Sequence, residues 1–225
     1  MTKKYEKYKS SGVEWIGDVP EHWEVRKLKY LAKINSAVLP ENFDKTKTIY
    51  YIDIGNVNFN DGILNIQEML FKNAPSRARR ITKNNDIIVS MVRTYLKAIA
   101  LINKDGYIVS TGFSVISSGN EINPRFMSFY TKSESFINYI SAHSDGVSYP
   151  AINQSSFNSS ICTIPPELEQ QKIASYLDKK SEAIDQFIKN KESLISLLEE
   201  EKKAIITKAV TKGLDKNVKL KDSGV

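Results

Sequence analysis

The sequence predicts a mixed α/β domain over residues 1–166, followed by one long α-helix over residues 167–212. Aromatic and β-branched runs, broken by turn signals, fill much of the first part and are typical of strands. One stretch among them has the apolar spacing of a helix. The segment 167–212 contains neither glycine nor proline and is composed mainly of helix formers.

Length and composition limit the class of protein. The chain has 225 residues, 41% of them hydrophobic, which suits one sizeable domain or a compact domain with an extended element. No run approaches the roughly 20 uncharged apolar residues that span a bilayer, and the N-terminus lacks the apolar core of a secretion signal. We therefore expect a cytoplasmic protein with no membrane partner.

The first stretch, SGVEWIGDVPEHWEVRKLKYLAKI, places two tryptophans around Gly17 and Pro20, which predicts a packed, turning segment that leads into a short regular element. Next, TIYYIDIGNVNFNDGIL predicts strand, turn and strand, with the turn at residues 60–62. NDIIVSMVRTYLKAIALINKDGYIVSTGFSVISSG repeats this pattern, with breaks at residues 104–106 and 118–119. These runs predict the sheet of the domain.

A helix is predicted in PRFMSFYTKSESFINYISAHS, which has apolar residues at helical spacing: Phe126, Phe129, Tyr130, Ile137 and Ile140. The amphipathic spacing implies that this helix packs on the sheet. The segment DGVSYPAINQSS that follows is rich in Gly, Ser, Pro and Asn and is predicted to be a loop.

The long helix carries an apolar seam with steps of three, four and seven residues, the spacing that keeps one face towards a partner helix. The seam residues are Ile173, Leu177, Ile184, Phe187, Ile188, Leu194, Leu198 and Ile205. A continuous helix here is about 70 Å long, so much of the seam must be buried against another element. Nine lysines balance nine acids, which favours a second helix over a membrane surface or DNA. Lys191 falls on the seam, either as a register-setting residue or snorkelling outward, and Gly213 is the expected C-cap.

The charge is concentrated in one short region. Residues 71–104 carry eight basic side chains against one acid, Asp86, and so contribute +7 to a net charge of +6, leaving −1 for the rest. Clustered Arg and Lys give salt-dependent affinity for DNA, and arginine can make two parallel hydrogen bonds to guanine. We therefore take this region as the candidate DNA-binding site, with these residues: Arg77, Arg79, Arg80, Lys83, Arg93, Tyr95 and Lys97.

Alternatives remain open for individual residues. Arg77, Arg79 and Arg80 also fit a solvated surface run. Arg93 and Lys97 interrupt an apolar segment, which favours a directed contact or an internal ion pair over idle exposure. Ser148 and Tyr149 in the predicted loop fit either a structural turn or a DNA-facing loop, and we include them among the candidates.

No catalytic or metal-binding motif is present. The sequence lacks the glycine-rich phosphate motifs, HExxH, paired cysteines and GxSxG, and its only Pro-Pro is not in an adenine methyltransferase context. Asp53, Asp61 and Asp86 could be combined into a metal-dependent nuclease, but acids beside turns are more often caps. Cys162 lies in an apolar run and is predicted to be a buried structural thiol. We expect no catalytic residue, metal or cofactor in this chain.

The closing residues KDSGV nearly repeat KSSGV at residues 9–13, which predicts that the chain is one unit of a tandem repeat. Several stretches together resemble the DNA-specificity subunit of type I restriction-modification systems. They are, in chain order, SGVEWIGDVPEHWEVRKLKYLAKI, DIIVSMVRTYLKAIAL, IVSTGFSVI, GVSYPAINQSSF and IPPELEQQKIASYLDKKSEAID, of which PPxxEQQxIAxxLD is the most specific.

This resemblance implies a target recognition domain over residues 1–166 and an antiparallel coiled-coil spacer over residues 167–212, with 213–225 as a connector. It implies double-stranded DNA as a partner, together with methyltransferase subunits and, through them, restriction subunits. S-adenosylmethionine, ATP and Mg would belong to those partners. Two copies are expected to associate through the long helices and to bind a palindromic bipartite site.

Two other functions remain open. A coiled-coil adaptor or scaffold without DNA binding would explain the helix and the absent catalytic motifs, but not the basic region. A stand-alone nuclease or methyltransferase with diverged motifs is the other alternative.

Overall fold

The structure is a computed structural model that describes residues 5–214 together with Asn217, Lys219 and Gly224. It divides into two compact units, Met1–Ser175 and Tyr176–Val225. Apart from Gly224, the closing KDSGV lies outside the described residues, as does most of the predicted connector.

Among the described residues the chain forms sixteen short strands, four α-helices and four single-turn 3₁₀ helices. The strands are β1 Tyr8–Ser10, β2 Asp18–Pro20, β3 Glu24–Lys27, β4 Ala32–Ile34, β5 Thr48–Ile52, β6 Val57–Asn58, β7 Gly62–Ile63, β8 Gln67–Leu70, β9 Ala78–Ile81, β10 Ile87–Ser90, β11 Ile99–Leu101, β12 Tyr107–Ser110, β13 Phe113–Ser118, β14 Ser144–Asp145, β15 Ala151–Ile152 and β16 Ile161–Ile164. The helices are α1 Pro124–Thr131, α2 Glu134–Ala142, α3 Gln154–Asn158 and α4 Glu167–Lys212.

Two four-stranded sheets form the centre of the first unit. Their strand orders are β8-β5-β12-β9 and β11-β10-β13-β4. β5 and β12 run parallel, whereas the other neighbours in both sheets are antiparallel. The largest buried cluster joins the second sheet to the helices through Ile87, Ile116, Phe136 and Phe157. This architecture, with the long helix at its end, confirms the predicted mixed α/β class.

The strand-rich runs fold as strands, with one difference in pairing. The turn at residues 60–62 closes only the two-residue strands β6 and β7. The longer strand before it, β5, instead pairs with β8 and β12. Its side chains Ile49, Tyr51 and Ile52 are buried, so long-range packing rather than the nearest turn determines its partners.

The prediction of one helix over PRFMSFYTKSESFINYISAHS is wrong in its continuity, because the segment forms α1 and α2. Ser133 has an extended backbone, and its side chain accepts a hydrogen bond from the Phe136 N–H at 3.4 Å. This N-cap starts a new helix and breaks the first one. Phe126 and Ile137 are nevertheless buried, as the spacing predicted.

The N-terminal segment turns and forms short strands, as predicted. Trp15 lies beside the Tyr139 ring at 5.8 Å but stays half exposed, whereas Trp23 is half-buried and meets Tyr5 edge-on. The segment is therefore packed on the domain through only part of its aromatic surface.

The first turn of α4 is anchored by Gln170, which is 1% exposed. Its Nε2 donates to Glu121 O at 3.0 Å and to Pro165 O at 2.9 Å, while its Oε1 accepts from the Asn123 N–H at 2.8 Å. The preceding Glu169 accepts a hydrogen bond from Tyr5. Glu169 and Gln170, the first two residues of EQQ in the PPxxEQQxIAxxLD element, thus hold the first turn of the helix in place.

α4 continues without interruption for 46 residues. At a rise of about 1.5 Å per residue it is about 70 Å long. Gly213, with φ of +73°, follows its last residue, and the Gly213 N–H donates to Ala209 O at 3.2 Å. The helix therefore ends where the sequence indicates, on a left-handed glycine. No helix within the described residues is long and apolar enough to cross a membrane.

Candidate nucleic-acid interface

Two loops of the first unit lie side by side. The first is the 91–98 loop between β10 and β11, and the second is the 146–150 loop between β14 and β15. Val92 bridges Ala151, and the Ile152 N–H donates to Met91 O at 2.9 Å. We call residues 91–98 and 144–152 together the paired-loop surface.

The backbone of the 91–98 loop is unusual. Arg93 and Lys97 both adopt the left-handed conformation, with φ of 50° and 49°, on either side of a single 3₁₀ turn. Left-handed backbone in residues other than glycine is sparsely populated, costs about 1–3 kcal/mol and clusters at functional sites. Between them Thr94 is buried and donates to Ser144 Oγ at 3.1 Å, so the turn is tied to the neighbouring hairpin.

The side chains on the paired-loop surface are cationic, aromatic and exposed. The Arg93 guanidinium lies 4.6 Å from the centre of the Tyr149 ring. Tyr149 is 64% exposed, and Tyr95 and Ser148 are exposed as well. A guanidinium stacked on an aromatic ring loses conformational freedom before a ligand arrives, which favours a directed contact.

Lys132 lies beside Lys97 at the border of this surface and was not among the residues predicted from the sequence. Lys97 Nζ and Lys132 Nζ lie 5.7 Å and 5.6 Å from the centre of the Phe59 ring. Lys132 Nζ also donates to Phe59 O at 3.0 Å, and burial lowers the pKa of Lys132. Lys132 lies between two helices in the sequence, where no local pattern distinguishes it from any surface lysine.

Arg77 is engaged with a carboxylate. Its guanidinium donates to both carboxylate oxygens of Asp53, with Nε at 3.3 Å from Oδ1. Burial disfavours the charged form of Asp53, but hydrogen bonds from Arg77 and from the Ile54 N–H hold its pKa below the ordinary value. The same pair raises the pKa of Arg77. Asp53 also caps the turn that follows β5, so it acts as a cap and an ion-pair partner.

The other basic candidates lie on or just after β9. Arg80 is partly buried, and its guanidinium donates to Asn35 Oδ1 and to Phe113 O, while burial lowers its pKa. Arg79 lies 5.6 Å from the centre of the Phe71 ring. Lys83 has an exposed side chain. Within the basic run SRARR, Arg77 and Arg80 thus have acceptors within the chain, and Arg79 lies beside an aromatic ring.

Five of the nine predicted residues lie on the paired-loop surface, and the other four lie elsewhere in the first unit. The paired-loop surface contains Arg93, Tyr95, Lys97, Ser148 and Tyr149. Arg77, Arg79, Arg80 and Lys83 are on or beside β9, where two of the guanidinium groups already have internal acceptors. The contact of each of these nine residues with DNA stays a prediction.

The seam of α4 is exposed over most of its length in the second unit. Ile184, Phe187, Ile188, Leu194, Leu198 and Ile205 each have about half of their surface or more open to solvent. Closer to the domain, Ile173 and Leu177 are partly buried. Lys191 Nζ lies 5.1 Å from the Phe187 ring centre on the same helix. A row of exposed large apolar side chains is typical of an interaction surface.

Cys162 is fully buried and unpaired, and burial raises its thiol pKa to about 12. A thiol in this state is a poor nucleophile. Within the described part of the chain, no cluster of three or more His, Cys, Asp or Glu side chains is arranged to hold a metal ion.

Comparison with known proteins identifies the family. A family model described as the type I restriction modification DNA specificity domain matches residues 20–197. The crystal structure of the HsdS subunit from Thermoanaerobacter tengcongensis matches with a TM-score of 0.71 and 25% identity, covering 90% of this chain and 52% of that chain. A structure described as the basis of complex assembly and conformational transition of the type I R-M system matches with a TM-score of 0.71 and 25% identity, covering 92% of this chain and 53% of that one.

This chain spans about half the length of the two solved chains that it matches. A search of the curated proteins found no match. The family model covers most of the sequence, including strands β3 to β16, the paired-loop surface and the first two thirds of α4. The chain belongs to the family of type I restriction modification DNA specificity domains.

Proposed function

We propose that this chain recognises one half of a bipartite DNA target as the sequence-specific, non-catalytic component of a type I restriction-modification complex. The observation that carries this proposal is the paired-loop surface, where strained backbone holds Arg93 and Lys97 beside exposed tyrosines. Family membership supports the same function.

The residues of this surface have different roles in the proposal. Lys97 and Lys132 neutralise phosphates, which gives affinity for any duplex. Arg93, held on the Tyr149 ring, donates to base edges in the major groove, where guanine offers two acceptors to one guanidinium. Tyr95 and Ser148 contact the DNA beside Arg93. This division separates affinity from specificity.

A filter-binding titration over salt concentration tests the DNA-binding function. The logarithm of the affinity for a random duplex should fall linearly with the logarithm of the salt concentration. Lys97→Ala should reduce the slope by about one phosphate contact. Lys203→Ala on the long helix is the matched control and should leave the slope unchanged. A wild-type chain that binds no duplex at low salt would instead favour the adaptor function.

Arg93→Ala separates base contact from phosphate contact. The variant should lose much more affinity for a selected target than for a random duplex, because a bidentate base contact contributes about 1–3 kcal/mol of discrimination. Arg26→Ala removes the same charge from β3, outside the two loops, and is the control. Equal losses on both duplexes would place Arg93 among the phosphate contacts.

The exposed seam supports a second part of the proposal. Two copies pair through α4 as an antiparallel coiled coil, so that a homodimer presents two recognition domains to a palindromic bipartite site. An apolar row of this length is costly in water and is stabilised by burial against another helix.

Light scattering over a dilution series tests this pairing. The wild-type chain should have the mass of a dimer, and Leu198→Glu should have the mass of a monomer because it places a charge in the seam. Ser193→Glu adds the same charge outside the seam and should remain dimeric. If Leu198→Glu is also dimeric, the interface lies elsewhere.

Methylation and cleavage belong to partners in this proposal. Methyltransferase subunits that use S-adenosylmethionine dock on the helical region, and restriction subunits that use ATP and Mg join through them. The buried thiol of Cys162 is poorly ionised and is not available as a nucleophile. The purified chain, given Mg or S-adenosylmethionine, should neither cut nor methylate DNA.

A further inference from the structure

One side chain of the paired-loop surface has a chemistry that the contacts above do not use. Val147 is 100% exposed in the 146–150 loop. We propose that Val147 contacts the 5-methyl group of a thymine in the major groove and thereby determines one position of the target sequence. This inference rests on the proposed DNA-binding function and extends it to a particular base.

The loop that carries Val147 is sharply folded. Gly146 has φ of +105°, and a Cβ at this position would lie 3.2 Å from Tyr149 O. Only glycine fits there without strain, so the loop returns tightly to Tyr149 and Pro150. The short hairpin β14–β15 closes its base, and the bridge to Val92 fixes it beside the 91–98 loop. Val147 is therefore carried on a braced turn.

Valine suits a shape-specific contact. Its β-branched side chain has few rotamers and loses little conformational entropy when a contact forms. A fully exposed valine gains nothing from the fold in the unbound chain. Its burial against an apolar group of a ligand is favourable by about 0.8 kcal/mol per buried methylene-sized group.

The surroundings of Val147 select DNA as the ligand. Arg93 and Lys97 make the neighbouring loop cationic, and Tyr149 holds the Arg93 guanidinium two residues along the chain from Val147. Asp145 is the acidic residue of the hairpin. Val147 is the fully exposed apolar side chain of this surface, with Leu96 about half exposed in the neighbouring loop, and two such groups among cations and tyrosines are a poor match for an apolar protein surface. On the base edges of the major groove, the thymine methyl is the apolar group that a valine can contact.

The experiment uses the full chain and a duplex selected by it from random DNA. Each thymine of one half-site is replaced in turn by deoxyuridine, which removes only the methyl group. The dissociation constant is then measured for the wild-type chain, for Val147→Ala and for Val210→Ala. Val210 is an exposed valine on α4 and is the matched control.

At one thymine, deoxyuridine should weaken wild-type binding about fourfold, the value for one buried methyl group. Val147→Ala should show no loss at that position, whereas Val210→Ala should keep the wild-type loss. The inference is overturned if no thymine is sensitive, or if the loss persists in Val147→Ala. If the chain selects no sequence at all, the proposed function fails and this inference fails with it.

Discussion

Replacement of Gln170 by methionine tests how the long helix is anchored to the recognition domain. Methionine keeps the unbranched shape of the side chain but removes its three hydrogen bonds, to Asn123 N, Glu121 O and Pro165 O. All three backbone groups lose their protein partner, Pro165 O at a buried site and the other two at part-buried sites. An unsatisfied buried group costs about 1–3 kcal/mol, so the variant should lose about 3 kcal/mol of unfolding free energy.

Thermal unfolding followed by circular dichroism measures this loss. For a chain of this size, about 3 kcal/mol corresponds to a fall in melting temperature of about 6–12 °C. The neighbouring Gln171 provides the control, because it is exposed and only bonds to Glu167 on the same helix, at 3.3 Å. Gln171→Met should change the melting temperature by about 2 °C or less. If the two variants melt together, the hydrogen bonds of Gln170 do not anchor the helix.

Three further predictions concern charge and burial. The pair with Arg77 lowers the pKa of Asp53, so it stabilises the fold above about pH 4, and this stabilisation is lost as the pH falls further. The melting temperature of Asp53→Asn should therefore fall less steeply than that of the wild-type chain between about pH 5 and pH 3. Parallel curves of melting temperature against pH for the two proteins would contradict this. Cys162 should resist a thiol reagent at about pH 8 until the chain unfolds, and rapid labelling of the native protein would contradict its burial. Arg80→Met should melt at a lower temperature than Arg79→Met, because only Arg80 donates to internal acceptors, and equal melting temperatures would oppose this difference.

Much of the fold follows from local patterns. The segment 167–212 contains no residue that breaks a helix, and it forms one helix with those bounds. The apolar spacing before it identified the buried faces of α1 and α2 but not the break, because one serine cap outweighs continuous amphipathic spacing. Partners of β5 lie far along the chain, where short-range turn signals carry no information.

The candidate site was predictable in composition but not in arrangement. Arg93, Lys97 and Tyr149 were identified from charge and from loop composition. Their assembly depends on the bridge between Val92 and Ala151 and on two left-handed residues that are not glycine, for which the sequence has no distinct signal. The exposure of Val147 likewise required the fold, since an isolated valine in a sequence is most often buried.

The run SRARR shows that the composition of a segment does not reveal the contacts of its individual side chains. The run has the composition of a DNA-contacting segment, yet β9 alternates its side chains between two faces, and Arg80 points to internal acceptors. Charge counted along a sequence identifies a basic region, but the fold determines which of its arginines already have acceptors within the chain.

Selection from a pool of random duplexes tests whether this chain recognises a DNA sequence through the paired-loop surface. The full chain is incubated with the pool at moderate salt, bound duplexes are recovered over several rounds, and the selected sequences are compared with those recovered by Arg93→Ala. We expect a bipartite sequence with two identical, inverted half-sites at a fixed separation, and the loss of at least one base preference in the variant. A pool that stays random, or an enriched sequence that Arg93→Ala selects equally well, would contradict sequence recognition by the paired-loop surface.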